Sequence, residues 1–169
     1  MAKIKGFELK GIAEFKGHEG EPLIQGNVYY KGKKVGFYSQ DAWGGMDIFK
    51  LDYNLDNNLR NKIEDITNNY VGGVLFEKID DLYNETYKVN FKYEQKGYEY
   101  LFMDLLQLKE HENDYRKYYK KYPLNTVYIV YKDLFTRGIC GAYSDDVIEQ
   151  KYPNKTYFKY TSLNDFVID

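Results

Sequence analysis

Residues 26–45 read Gly26-Asn-Val-Tyr-Tyr-Lys-Gly-Lys-Lys-Val-Gly-Phe-Tyr-Ser-Gln-Asp-Ala-Trp-Gly-Gly45. Two short runs rich in aromatic and β-branched residues flank Lys31-Gly32-Lys33. Gly32 can adopt the positive φ that a tight turn between antiparallel strands requires. The stretch therefore predicts a β-hairpin that leads into an aromatic, acidic and glycine-rich loop.

The alternation of side chains along this hairpin predicts which of them face the core. Ile24, Val28 and Tyr30 fall on one face of the first strand, because side chains two residues apart point the same way. By the same rule, Val35 and Phe37 share a face of the second strand. We expect both apolar sets to be buried.

The chain on either side of the hairpin supplies further strands and several helices. An opening strand over residues 4–15 contains Gly6 and Gly11, where we expect bends or bulges. A fourth strand, from Met46 to Tyr53, completes an antiparallel meander. Apolar residues that recur every three or four positions predict helices in three segments: 57–70, 75–83 and 98–121.

The second half of the chain returns to β-structure. Segment 86–93 alternates strictly, which favours a strand, although its aromatic residues also fit helical spacing. Strands are predicted over 126–132, 136–143 and 156–160, with Ser144 as the N-cap of a short helix before the last of them. The predicted fold class is α+β: an antiparallel β-meander packed against helices, with a C-terminal β-α-β-like unit.

Length and charge limit the classes of protein to consider. The 169 residues fit a single α+β domain over 1–169, and a subdivision is compatible with the sequence only near residues 54–73. Lys and Arg number 24 against 26 Asp and Glu, so the net charge of -2 gives no general attraction for a polyanion. An electrostatic partner must therefore bind a local patch.

The apolar content of the chain predicts its surroundings. No apolar run has the length of a signal peptide or of a membrane span. A single cysteine, Cys140, cannot form an internal disulfide, which suits a reducing compartment. We expect a cytoplasmic protein with no membrane partner, no cofactor and no metal ion.

Aromatic residues are unusually frequent. They make up 18% of the chain, with 20 tyrosines, 10 phenylalanines and one tryptophan. Two sources of this bias stay open: aromatic binding surfaces, and the codon usage of an AT-rich genome. The sequence does not decide whether the tyrosines lie in the core or on the surface.

The loop after the hairpin is the first candidate site. We interpret Asp41, Trp43, Gly44, Gly45 and Asp47 as a partner-binding loop, because a rigid ring in a connection between strands is a common interface anchor. One alternative is a Trp43 side chain that folds back over the core. Another is a divalent cation between Asp41 and Asp47, although two carboxylates fall short of a calcium loop.

The end of the long helix is the second candidate site. Arg116, Lys117, Tyr118, Lys120 and Lys121 alternate cations with aromatic rings, which is typical of nucleic-acid-binding surfaces. The charges would contact phosphates and the rings would stack on bases. The alternative is a plain helix C-terminus, where cations are favoured by the helix dipole and tyrosines complete the apolar stripe.

The preceding turns of the same helix carry Glu110, His111, Glu112 and Asp114, which we interpret as a solvated face. Cys140 lies between small residues and is predicted to be a buried, unreactive thiol.

Catalytic signatures do not stand out in the sequence. His18, in a polar loop beside Glu19 and Glu21, is a candidate acid or base. The chain has no nucleophile elbow, P-loop, dinucleotide fingerprint or zinc-protease motif. We therefore assign no catalytic residue.

Two stretches resemble a loosely defined group of small proteins from phages and other mobile elements. The first is the hairpin from Val28 to Phe37 with the Asp-x-x-Gly-Gly loop at Asp41 to Gly45, and the second is the C-terminal unit from Ala142 to Asn154. Members of this group often bind host proteins, including anti-phage defence components such as CRISPR effectors. The resemblance implies a phage-encoded inhibitor or modulator of a host defence complex, such as an anti-CRISPR protein.

The favoured function is a non-catalytic protein-binding module whose partner is a host protein complex. One alternative is a nucleic-acid-binding module that uses the basic helix end. Another is an enzyme or sponge for a small nucleotide signal, which requires a deep pocket where His18, Asp41 or Asp47 and a cation converge. Assembly into a homo-oligomer also stays open.

Overall fold

The computed structural model describes most of the chain, in these ranges: 1–72, 84, 88, 96–122, 126–132, 136–141, 143–153 and 155–169. The helix predicted over 75–83 and nearly all of the strand predicted over 86–93 lie outside the described residues. Ala142 and Asn154, at the ends of the C-terminal unit, also lie outside them.

Six strands form the larger sheet. They are β1 (Lys3–Ile4), β2 (Phe7–Lys16), β3 (Pro22–Tyr30), β4 (Lys33–Ser39), β5 (Ile48–Leu51) and, at the far end of the chain, β9 (Val167–Ile168). Their spatial order is β5-β4-β3-β2-β1-β9. Strands β2 to β5 form the predicted antiparallel meander, and β9 pairs with β1 in parallel.

Glycines and lysines form the turns of this sheet where the sequence predicts them. The β3–β4 turn contains Lys31 and Gly32, with φ angles of 48° and 85°. Gly6 lies in the turn between β1 and β2 with φ 81°. Gly11 has φ 60° and occupies the register shift between Lys10 and Ala13 in β2, which confirms the predicted irregularity.

The face predicted for Phe37 is wrong. A bulge adds one residue to β4 beside Val28 and Tyr29, so residues beyond it change faces. Val35 is buried as predicted, but Tyr38 takes the next inner position and Phe37 lies on the outer face, 37% exposed. On β3, Val28 is buried and Ile24 is half-buried.

Three further strands form a smaller sheet: β6 (Val127–Tyr131), β7 (Arg137–Gly141) and β8 (Thr156–Tyr160). Strand β6 lies in the middle, antiparallel to both neighbours, and all five of its residues are buried. Helix α3 (Asp145–Lys151) connects β7 to β8 and begins at the predicted cap Ser144. The predicted β-α-β-like unit is therefore present, with β6 between its two strands.

Two helices precede the smaller sheet in the described residues. Helix α1 (Asn57–Asn68) begins after Asp56, whose carboxylate accepts a hydrogen bond from the Leu59 amide. Helix α2 (Tyr98–Lys121) has 24 residues and the bounds that the sequence predicts. A 3₁₀ helix (Leu163–Phe166) leads from β8 into β9.

Helix α2 packs between the two sheets. The Phe102 ring lies 4.6 Å from that of Tyr38, in β4, and 4.9 Å from that of Phe49, in β5. On its other side, His111 hydrogen-bonds to Tyr131 and Tyr160 of the smaller sheet. One buried apolar cluster includes residues from both sheets, α1 and α2.

This packing overturns one prediction for α2. His111 and Glu112, which we expected on a solvated face, are completely buried. The smaller sheet covers His111, and the N-terminal segment covers Glu112 through its Ala2 amide. Helical spacing alone does not reveal this second packed side.

The fold class is α+β, as predicted. Among the described residues, no helix has the length and apolar character needed to cross a membrane.

Candidate functional site

The loop between β4 and β5 presents Trp43 to solvent. The Trp43 side chain is 76% exposed and Met46 is 71% exposed. The alternative in which Trp43 folds back over the core is therefore not the arrangement of this protein.

Asp41 gives the loop its local shape. Its Oδ1 accepts hydrogen bonds from the backbone amides of Trp43, at 2.6 Å, and Gly45, at 3.3 Å. Gly44 between them has φ 74°, a conformation that residues with a Cβ rarely adopt. A short acceptor followed by a glycine three positions later therefore folds this turn from local sequence.

Asp47 ties the loop to the body of the protein. Its Oδ2 accepts a hydrogen bond from the buried Tyr38 hydroxyl. Its own amide donates to Glu99 Oε1 at 2.8 Å, and its carbonyl accepts from the Tyr98 hydroxyl at 2.8 Å. Burial, followed by the bond to Asp47, raises the pKa of Tyr38. The loop is thus anchored to both β4 and the first turn of α2.

Both loop carboxylates accept hydrogen bonds from amide or hydroxyl groups of the protein itself. Within the described ranges, no three His, Cys, Asp or Glu side chains are arranged to hold a metal ion.

His18 supports the exposed tryptophan. Its ring stacks on Trp43 with centroids 4.0 Å apart, and its amide donates to the Ala42 carbonyl at 2.9 Å. In the described part of the chain, no hydrogen bond joins His18 to either loop carboxylate. The structure therefore places His18 beneath the ring and does not group it with Asp41 and Asp47.

Two apolar side chains of β4 and β5 also face outward. Phe37 pairs with Lys50 and Ser39 pairs with Ile48, which makes Phe37 and Ile48 diagonal neighbours on the outer face of the sheet. They are 37% and 39% exposed. We refer to Phe37, Trp43, Met46 and Ile48 as the Trp43 surface.

The second candidate site divides into parts with different surroundings. Arg116 and Lys120 line a groove of about 680 Å³ between the end of α2 and the segment Thr161–Asn164. Lys117 and Lys121 are exposed but do not line it. Tyr118 packs against the core, so the structure does not group all five predicted residues on one face.

Glu112 organises the base of this helix end. Its Oε1 accepts two hydrogen bonds from Arg116, at 2.8 and 2.7 Å, and its Oε2 accepts from Lys109 and the Ala2 amide, both at 2.8 Å. Burial alone would raise the pKa of Glu112, but these donors lower it to about 2. Glu112 is therefore charged in the core.

His111 is the neutral counterpart of Glu112. Its Nε2 lies 2.8 Å from the Tyr131 hydroxyl and its Nδ1 lies 2.7 Å from the Tyr160 hydroxyl. Burial, with a contribution from Arg137, lowers the pKa of His111 to about 3. The imidazole is closed off from solvent and connects α2 to β6 and β8.

Cys140 is half-buried in β7. Burial raises the pKa of its thiol, in the direction expected for an unreactive cysteine.

No protein-family model, curated protein or solved structure matches this chain.

Sequence reasoning missed several residues of these two surfaces. Tyr98 and Glu99 anchor the loop from about fifty positions away, and local patterns carry no signal for such pairs. The exposure of Phe37 was missed because it depends on the bulge in β4. Tyr119 lines the groove with Arg116 and Lys120. Its position between these two cations in the sequence is a signal from which it could have been predicted.

Proposed function

We propose that this protein is a protein-binding module whose contact surface centres on Trp43, and that it acts by binding and not by catalysis. The observation that carries the proposal is a tryptophan 76% exposed on a loop that two carboxylates hold in shape.

The hydrogen bonds of the loop favour binding because they order it in advance. A free loop loses conformational entropy when a partner fixes it, and this loss weakens the complex. Asp41 already holds the Trp43 amide, Asp47 already holds the Asp41 amide, and His18 already supports one side of the Trp43 ring. Tryptophan is also among the residues most enriched at energetic centres of interfaces.

Other exposed apolar side chains of the loop and its flanking strands favour a protein as the partner. Phe37, Met46 and Ile48 are apolar and exposed. Apolar and aromatic side chains are enriched in the central part of a protein interface.

The host defence complex predicted from the sequence is the partner class we propose, in the cytoplasm. Its support is the resemblance of the hairpin and the Asp41 to Gly45 loop to phage-borne proteins. The support for the compartment is the single cysteine, which cannot form an internal disulfide.

A paired capture experiment tests this function. Wild type, Trp43→Ala and Tyr53→Ala are each immobilised and exposed to host lysate, and bound proteins are quantified by mass spectrometry. Tyr53 is the matched control, because it is an aromatic residue 94% exposed, at the other end of β5. We expect at least one specific protein whose recovery falls about tenfold with Trp43→Ala alone.

A direct measurement on the captured protein completes the test. The single tryptophan reports its own surroundings, so binding should shift Trp43 fluorescence to shorter wavelength and protect it from iodide quenching. A purified partner that binds without changing Trp43 emission, or that binds Trp43→Ala as tightly as wild type, would exclude this surface as the contact.

A further inference from the structure

We propose that the groove between the end of α2 and the segment Thr161–Asn164 binds a nucleoside phosphate, either as a free nucleotide or as a unit of single-stranded nucleic acid. The groove lies apart from the Trp43 surface and involves none of its residues. Its volume, about 680 Å³, is within the range of small-molecule sites.

Tyr115 and Tyr119 form an aromatic wall of the groove that can stack on a nucleic-acid base. The Tyr119 ring lies parallel to that of Tyr115, with centroids 5.7 Å apart and an interplanar angle of 17°. Tyr115 is 4% exposed, so the inner ring is fixed by the core, whereas Tyr119 is 44% exposed. Leu163, 41% exposed, adds apolar surface from the opposite segment. A planar base can extend the tyrosine stack on its open side.

Two cations one helical turn apart supply the phosphate contacts. Arg116 uses Nε and Nη2 to hold Glu112, which fixes the guanidinium and leaves the Nη1 donors directed elsewhere. Lys120 makes no ion pair with any described residue. A fixed guanidinium and an unpaired ammonium beside a stacking ring match the base and phosphate of one nucleotide.

The opposite wall does not offset this positive charge. No carboxylate of the described residues lines the groove. Asp165 follows the segment, but its carboxylate turns into it and accepts from the Thr161 amide at 2.5 Å and the Ser162 amide at 3.0 Å. These bonds hold the segment in shape, and the charges facing the groove are those of Arg116 and Lys120.

The aromatic wall distinguishes this site from a simple anion site. Phosphate alone would need only the cations, and an apolar ligand would gain nothing from them. A ligand with a flat ring and a phosphate uses both the tyrosine ring and the cations, and a nucleoside phosphate has that chemistry.

Binding measurements with three probes test the proposal and separate its two sources. Thymidine 5′-monophosphate represents the free nucleotide, single-stranded oligothymidylate represents the nucleic acid, and inorganic polyphosphate represents charge without a base. Affinities are measured at low and moderate salt for wild type, Tyr119→Leu, Lys120→Ala and the matched control Lys117→Ala. Lys117 is an exposed cation on the same helix end, outside the groove.

We expect Tyr119→Leu and Lys120→Ala each to weaken oligothymidylate binding about tenfold, and Lys117→Ala to weaken it less than about twofold. Binding of the monophosphate, lost in the same two variants, would identify a free nucleotide as sufficient. Binding of the oligonucleotide alone would identify single-stranded nucleic acid as the ligand.

Three results would overturn the proposal: no binding of either thymidine probe, equal losses for Lys117→Ala and Lys120→Ala, or polyphosphate binding as tight as oligothymidylate binding with no effect of Tyr119→Leu. Circular dichroism of each variant checks that these exposed replacements leave the fold intact. A negative result in these binding measurements leaves the Trp43 proposal unaffected, because the groove and the Trp43 surface share no residue.

Discussion

The middle of α2 and the loop that carries Trp43 both contain carboxylates that accept several hydrogen bonds, but in opposite surroundings. Glu112 is completely buried and is held by Arg116 and Lys109. Asp41 and Asp47 are half-buried and accept mainly from amide and hydroxyl groups of neutral residues. In the core, charged side chains therefore compensate the Glu112 carboxylate. In the loop, the Asp41 and Asp47 carboxylates instead hold uncharged amide and hydroxyl groups in place.

This difference means that the carboxylate in α2 and those in the loop have different roles. Glu112 contributes to the stability of the fold, whereas the loop carboxylates hold Trp43 in its exposed position. Loss of a buried charge partner leaves other groups uncompensated where water cannot reach them. Loss of the Asp41 carboxylate exposes amides that water can solvate, so the cost is small while the loop loses order. Changes in α2 should therefore act on the free energy of unfolding, and changes in the loop should act on the Trp43 ring.

The largest effect is expected for Glu112→Ala. The change removes the acceptor of the buried Ala2 amide and, at once, the ion pairs with Lys109, Arg116 and the Met1 ammonium. We expect the free energy of unfolding, measured by urea denaturation, to fall by about 3 kcal/mol. Asn113→Ala, the exposed next residue of the helix, should stay within about 0.5 kcal/mol of wild type. A loss below about 1 kcal/mol for Glu112→Ala would contradict the role assigned to the buried carboxylate.

The same region should give the protein a two-step sensitivity to acid. The pKa of His111 falls from 6.5 to about 3 on folding, so between these pH values the unfolded chain binds more protons than the folded one. Stability therefore decreases as the pH drops below 6.5, with a slope of up to about 1.4 kcal/mol per pH unit. Glu112, with its pKa lowered from 4.5 to about 2, adds its own loss only below pH 4.5.

Urea denaturation between pH 6.5 and 5 isolates the histidine. We expect His111→Gln to have a flatter stability profile in this window than wild type, whatever its absolute stability. His18→Gln, which removes the other histidine of the chain, is measured in parallel as the comparison. Equal slopes for all three proteins would show that His111 is not the group responsible.

The strands, the caps and the bounds of α2 could be predicted because they depend on neighbours along the chain. The Gly32 turn, the Ser144 cap and the strand over 126–132 are local signals, and the structure has each of them. The buried side of α2 depends on the smaller sheet, which covers His111, and on the N-terminal segment, which covers Glu112. His111 and Glu112 therefore look polar and exposed from sequence, although both are in the core.

The Trp43 loop was predictable in part for the same reason. Asp41 and Gly44 lie within a few residues of the turn they form, so the sequence contains its geometry. The anchors Tyr98 and Glu99 come from α2, and the exposed position of Phe37 depends on a one-residue bulge. Pairing over long distances and single-residue insertions leave no periodic pattern to detect.

The third prediction concerns the link between Tyr38 and Asp47. Asp47→Ala leaves the buried Tyr38 hydroxyl without its acceptor, and we expect a loss of about 1.5 kcal/mol in the free energy of unfolding. In combination with Tyr38→Phe, the two losses should not add, because both variants remove the same bond. Additive losses in this double-mutant cycle would show that the bond does not couple the loop to the core. Asp41→Ala, whose partners are exposed amides, should cost only about 0.5 kcal/mol.

The smallest change in stability is expected for Trp43→Ala, although tryptophan has the largest side chain of all the amino acids. A ring that is 76% exposed contributes little burial, so the free energy of unfolding should stay within about 0.5 kcal/mol of wild type. In wild type, iodide should quench the tryptophan readily, and Asp41→Ala should speed amide hydrogen exchange at Trp43 and Gly45. A loss above about 1.5 kcal/mol for Trp43→Ala would mean that the ring packs on the core. The loop would then resemble the middle of α2, and its carboxylates would serve stability in the same way as Glu112.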